Sequence, residues 1–194
     1  MFVLLCCAPD PEPVARLLRR RARETPAGPQ PSLINRTVAP HGQEPRTELR
    51  VVLDSPAAAA WAVLDAVRAG ADRIAVGAGP VILDGEQADG VGVGRARRAF
   101  DEGPGIRVQG ADPVLDEAAA ALLELAARLI RERSAAQWRV VDLMVPGVRG
   151  QHAEAARALG ISPQAVSRAL IRTGWAEQVR AADAAAALLE RTAA

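Results

Sequence analysis

The stretch Gln151–Trp175, QHAEAARALGISPQAVSRALIRTGW, constrains this chain more than any other. Ala153, Ala156 and Leu159 recur at helical spacing. Gly160 follows where a helix ends in a left-handed residue, a conformation that only glycine adopts cheaply. Ile161 is then expected to point back into the core. Ser162 reads as the N-cap of a second helix with Pro163 at its first position. Val166, Ala169, Leu170 and Ile171 are expected to form the buried side of that helix. A small residue, Ala156, stands four before the glycine where two helices would cross closely, and β-branched Val166 stands six after it. This order matches the helix-turn-helix pattern, in which the second helix enters the DNA major groove. On that geometry Gln164, Ala165, Ser167 and Arg168 face outward, with Arg172 one turn further on. Glutamine can pair with adenine, and arginine with guanine or phosphate. Ser162, Gln151 and His152 complete the expected DNA-contacting set. The alternative is an αα-hairpin whose arginines only solvate its surface.

Charge is nearly balanced over the 194 residues, with 24 Lys+Arg against 23 Asp+Glu, so bulk charge names no partner. Every basic residue is arginine and alanine is abundant, which a GC-rich coding bias explains without special guanidinium chemistry. Distribution says more. From Ser134 to Arg180 six arginines (Arg139, Arg149, Arg157, Arg168, Arg172, Arg180) face Asp142, Glu154 and Glu177, a net +3 that leaves −2 elsewhere. A mildly basic C-terminal half suits phosphate contact. Cys6 and Cys7 are adjacent in an apolar run. Neighbouring cysteines rarely bridge, and no further cysteine completes a metal set, so they read as buried strand thiols in a reducing compartment. MFVLLCC lacks a charged start and is short for a signal peptide, and no later segment could span a membrane. A cytoplasmic location without membrane contact is expected.

Taken in order, Phe2–Cys7 reads as a strand, followed by the turn former APDPEP. A helix is expected from Val14 to about Glu24, carrying five arginines from Arg16 to Arg23 as a solvated face. Thr25 to Pro45, rich in Pro, Gly and Gln, reads as a long loop. ELRVVL (48–53) is a second strand, and Ser55-Pro56 caps a helix through Trp61, Leu64 and Val67 that stops at Gly70. Arg73–Val76 is a third strand, with Val81–Leu83 as its hairpin partner across GAGP. A helix over Gly94–Asp101 and a strand over Ile106–Val108 close this half. Asp112-Pro113 then opens a long helix with acids in its first turn and arginines in its last. Leu115, Leu122, Leu125, Ala126 and Leu129 make its stripe, widened by Leu123 and Ile130. The stripe suits an interdomain strut or a dimer seam, and the strut is the reading adopted. Ser134 caps a helix over Ala135–Met144 with Trp138, Val141 and Leu143 or Met144 in its core, and PGVRG ends it. An alanine-rich helix with Leu188 and Leu189 follows Trp175.

No hydrolytic site is evident. His41 and His152, the only histidines, stand in no triad or metal spacing, and exposure or a phosphate contact suits His152 better than catalysis. Gly77–Gly79 and Gly90–Gly94 are glycine-rich but match neither GxGxxG nor a P-loop, and the chain has no lysine for a phosphate. Hairpin turns and a helix start account for them.

Two stretches carry a resemblance. RIAVGAGPV followed by ADGVGVGRARRAF places Asp89-Gly90 and Ala96-Arg97-Arg98-Ala99 in one order. Gln151, Ala155, Leu159-Gly160-Ile161-Ser162 and Ala165-Val166-Ser167 follow in the other. Together they resemble the middle and the C-terminal motif of SatD-family proteins, the latter being similar to a sigma-factor region-four reader. The linker and the first 45 residues match poorly. The resemblance implies an N-terminal half like a nucleotide-cyclase palm, which holds two metal ions on aspartates. Here Cys7 stands about where the first aspartate would be, and VVLDSP keeps Asp54 without the flanking glycine and acid. One carboxylate does not easily hold two Mg²⁺ ions, so Asp54 reads as an element-end or capping residue.

The expectation is therefore an α+β chain. Residues 1–110 form a small α/β sandwich, ferredoxin-like or cyclase-palm-like and degenerate. Residues 111–133 are a connecting helix, and 134–194 an all-α helix-turn-helix domain. The chain is expected to bind double-stranded DNA as a homodimeric transcriptional regulator, pairing through the helix at 112–133 or the N-terminal sheet. No enzyme activity, catalytic residue, metal or cofactor is expected. A cyclase-like nucleotide enzyme, with Asp54 as a ligand, and a protein–protein adaptor are the alternatives.

Overall fold

Seven consecutive apolar residues with no alternation make a strand that can only be stable with both faces covered. The first strand, β1 (Phe2–Ala8), is buried along its whole length. The computed structural model describes residues 1–8, 10, 12–17, 33–38, 47–85 and 87–193. In it, β1 is the middle of a five-stranded sheet. Its neighbours are β3 (Thr47–Leu53) and β4 (Arg73–Ala78), both antiparallel to it. β2 (Leu33–Val38) extends the sheet beyond β3, and β7 (Gly105–Gln109) pairs parallel with β4 on the other side. Side chains alternate across the sheet. Phe2, Leu4, Cys6 and Ala8 enter one core, and Val3, Leu5 and Cys7 enter the other.

Helix α1 (Pro56–Arg68) carries the chain from β3 over β1 to β4, and α2 (Val91–Asp101) carries it from β4 to β7. They lie on opposite faces: α1 joins the first core, and Ala96, Ala99 and Phe100 of α2 build the second. Ser55 caps α1 as expected, its Oγ accepting from the Ala58 N–H at 3.2 Å. Residues 12–17 are helical, while the rest of the helix expected at 14–24 lies outside the described residues. Among the described residues no helix is long and apolar enough to cross a membrane.

The structure departs from expectation at three places in this half. The loop expected at 25–45 contains β2, whose sequence LINRTV has no sustained apolar alternation and gains its order from the ladder with β3. Val81–Leu83 does not pair with Arg73–Val76. β5 (Ile82–Asp84) instead forms a small separate hairpin with β6 (Gln87–Asp89), because β1 and β7 already occupy both edges of β4. The glycine runs are more than turns. A Cβ on Gly77 would lie 2.1 Å from the Gly92 carbonyl oxygen and 2.3 Å from the Ala96 nitrogen. Gly77 and Gly92 thus let α2 lie directly on β4.

Helix α3 (Pro113–Arg131) leads from β7 to the C-terminal helices and is itself packed along its length. It packs beside β7, α1 and, most extensively, α7 (Trp175–Thr192). Its buried apolar residues are Ala119, Ala120, Leu123, Ala126, Ala127 and Ile130, whereas Leu125 of the expected stripe is 59% exposed. Alanines allow close approach to α7, which rotates the buried face away from the one that the leucines mark. The two helices run antiparallel and are joined at both ends. At one end the Thr192 hydroxyl donates to Asp116 Oδ1 (2.7 Å) and accepts from the Asp112 N–H (3.1 Å), while Asp116 Oδ2 accepts from the Gly110 N–H (2.8 Å). At the other end, Arg133 Nε and Nη2 donate to the Thr173 carbonyl at 3.0 and 2.8 Å. The packing therefore places α7 with the sheet core, and residues 134–174 form an excursion between α3 and α7.

Replacing Gly77 with Ala is expected to lower stability by about 3 kcal/mol, because the added methyl meets backbone that cannot move aside. Urea unfolding checks this, and a change below about 1 kcal/mol would mean that α2 is not held against β4 as described. A second expectation concerns Cys6. Burial first, then the neighbouring Cys7 and Glu48, pushes its thiol up to about 12. It should resist iodoacetamide at pH 8 in the native protein and react only after unfolding, as mass spectrometry of digested protein would report.

Candidate nucleic-acid interface

Residues 134–174 hold three helices around a separate small core. α4 (Ala135–Val141) begins at a capping box, with Ser134 Oγ accepting from the Gln137 N–H and Gln137 Oε1 accepting from the Ser134 N–H. It ends three residues earlier than expected. α5 (His152–Leu159) and α6 (Pro163–Thr173) follow. Val140, Val141, Met144, Ala155, Ala156, Val166 and Leu170 are buried together. Ala156 and Val166 are both buried in this core, whereas Ala153 is exposed and Ala155 takes the buried place.

The link between α5 and α6 follows the residues closely. Gly160 is left-handed, with φ 66° and ψ 31°, and the Ile161 N–H donates to the Ala156 carbonyl at 3.1 Å. Ser162 Oγ accepts from the Ala165 N–H at 3.2 Å, and Pro163 occupies the first helical turn, where a missing N–H costs nothing. Left-handed Gly174 ends α6 and begins α7.

The burial of Val166, Leu170 and Thr173 sets the rotation of α6. Gln164, Arg168 and Arg172 are exposed on the opposite side, and the structure gives their side chains no hydrogen bond or ion pair among the described residues. Ser162 is also exposed, while Ala165 and Ser167 are half-buried. His152 is exposed at the start of α5. Arg139, Arg149 and Arg157 are exposed in the same unit.

Three expectations fail here. Gln151 is occupied: its Oε1 accepts from the Val145 N–H (2.7 Å), and its Nε2 donates to the carbonyls of Val145 (2.9 Å) and Val148 (2.7 Å). These bonds fasten the 145–151 loop and occupy the Gln151 amide within the chain. Ile161 is exposed rather than turned into the core. Ile171 is 75% exposed, because Leu170 and Val166 already fill the small core and Ile171 lies a hundred degrees round the helix from Leu170.

The unit is locked to the sheet core through Trp138. Arg68 of α1 lies 3.9 Å from its ring centroid, and Arg133 lies 4.9 Å from it. Arg68 also forms a two-pronged ion pair with Asp142, at 2.5 and 2.9 Å. Nothing in the linear spacing marked this group, since its members are far apart in sequence. Beside it a cavity of about 420 Å³ is lined by Leu64, Ile130, Trp138, Met144, Trp175 and Gln178, among others.

In the sheet half, Cys7 pairs with Glu48, while Asp54 follows Leu53, the partner of Phe2. The positions of Cys7 and Asp54 therefore lie toward opposite ends of β1. Glu48 is buried and accepts both terminal nitrogens of Arg97 from α2, so this carboxylate is held in an internal pair.

Gly160→Ala is expected to cost about 1–2 kcal/mol through backbone strain alone, since no atom lies within 4 Å of the added methyl. Thermal unfolding would report it. A neutral result would mean that the left-handed turn is not the resting conformation. No family model, curated protein or solved structure matches this chain.

Proposed function

We propose that residues 134–174 form a helix-turn-helix that binds double-stranded DNA, with α6 as the reading helix, and that the chain acts as a transcriptional regulator. The observation that carries this reading is the outward side of α6. Gln164, Arg168 and Arg172 stand on it without a side-chain partner among the described residues, on a helix capped at both ends and rotated by its own core. Such side chains can meet base edges and phosphates without first breaking internal bonds. The local net +3 between Ser134 and Arg180 supports it, the more so because Asp142 is held by Arg68, an arginine outside that segment. The resemblance to SatD-family proteins belongs to the same proposal, with the sheet half as a degenerate relative of a cyclase palm. The separation of Cys7 from Asp54 along β1 and the internal pairing of Glu48 support a sheet half without two-metal chemistry.

One helix-turn-helix buries little DNA surface, so specific affinity usually takes two copies. We therefore propose a homodimer. The buried face of α3 is taken up by α1 and α7 within the chain, which leaves an edge of the N-terminal sheet as the expected surface. Light scattering that reports a monomer at micromolar concentration would remove this part.

The test of DNA binding is fluorescence anisotropy on duplexes selected from random sequence, repeated over a salt series. Affinity is expected to fall with salt at a slope of about −0.9 per phosphate contacted. Gln164→Ala and Arg168→Ala should each lower sequence preference by about 1–3 kcal/mol while the melting temperature stays unchanged. If both variants bind as the original does, α6 is not the reading helix.

A further inference from the structure

We propose that Ile171 reads the C5 methyl group of a thymine in the major groove, an inference that deepens the helix-turn-helix reading and rests on it. The sequence pattern assigns Ile171 to the core beside Leu170, yet it is the most exposed large hydrophobic side chain of the three-helix unit. Its place on α6 is well determined. At 3.6 residues per turn, Ile171 comes two turns after Gln164 and returns to within about 20° of it, and it lies about 60° from Arg168. It thus shares the outward strip with the two polar readers, about 10 Å beyond Gln164 along the axis. Val166, Leu170 and Thr173, all buried, stand on the other side.

Fraying does not explain this exposure. Ser162 caps the start of α6, Gly174 ends it, and the Thr173 carbonyl is held by Arg133. A β-branched side chain in a helix is confined to essentially one rotamer, so Ile171 presents a fixed apolar surface. The major-groove edge of DNA offers one group that such a surface can bury against, the thymine methyl. Gln164, Arg168 and Arg172 around it, whose side chains have no partner among the described residues, supply polar and cationic contacts. Their charge makes a polyanion a better occupant than the apolar groove of another protein.

The test uses the full chain and a duplex that it has selected from random sequence. Each thymine of that duplex is replaced singly by uracil, which removes the methyl group and leaves pairing intact. At one position uracil is expected to weaken binding about fourfold, the effect of exposing one buried methyl group. Ile171→Ala should bind the thymine and uracil duplexes equally, and Ile171→Val should keep most of the difference. Both variants should melt as the original does, since the side chain leaves the core untouched. Sequence-preferring binding with no uracil effect, a selected site without thymine, or an unaltered uracil effect in Ile171→Ala each overturns the thymine contact and leaves the reading helix standing. A chain that selects no duplex overturns the helix-turn-helix reading itself, so the two failures are distinguishable.

Discussion

The antiparallel packing of α3 against α7 governs the arrangement of everything else. Small side chains on both helices bring them close, and Ala119, Ala126, Ala127, Ala182 and Ala185 are all buried where they meet the sheet core. The pair is closed by Thr192 with Asp116 at one end and by Arg133 with the Thr173 carbonyl at the other. Because α7 returns to the sheet, the three helices between α3 and α7 leave and re-enter the main body at one place. A short excursion tied at both ends has less freedom than a domain on a single linker. The orientation of α6 is thereby set by the sheet half.

That coupling is concentrated at Trp138 and Trp175, which pack against both the large core and the small one. Trp138 is flanked by two guanidiniums, and Trp175 lies 6.0 Å from Trp61 of α1. Arginine suits such a place, since its flat, weakly hydrated head stacks on a ring while its edge donates hydrogen bonds. The arrangement carries an electrostatic cost. Burial, with the Arg68 charge nearby, brings the Arg133 guanidinium down to about 10, and its Nη1 has no hydrogen-bond partner among the described residues. The Thr173 carbonyl, at the negative end of the α6 dipole, offsets part of that cost and in return fixes the end of the helix.

Local chemistry was legible in the residues because it acts over three or four positions. Ser55, Asp112, Ser134 and Ser162 each cap the helix that their spacing marks, and Gly160 takes the left-handed turn. Pairing over longer distances was not legible. β2 is a strand because β3 lies beside it, and Ile82–Asp84 leaves the main sheet because β4 has two better neighbours. Gly77 and Gly92 read as turn formers in one dimension, and their mutual approach exists only after α2 has folded onto β4. In the candidate interface, the spacing marked the polar strip of α6, but Gln151 turned out to bind its own loop and Ile171 to face outward.

The residues alone marked where the capped helices of the C-terminal half begin, that Phe2–Cys7 forms a strand, and which polar side chains share one side of α6. These follow from caps, periodicity and backbone preference, which are set by near neighbours along the chain. Tertiary structure decided that α7 belongs with the sheet, how α3 is rotated, and which glutamine and which isoleucine are free to meet a partner. Those outcomes depend on competition for a limited core volume and for backbone hydrogen bonds among residues distant in sequence. Val166 and Leu170 fill the space that Ile171 would need, and the residues between Val145 and Val148 take the amide of Gln151.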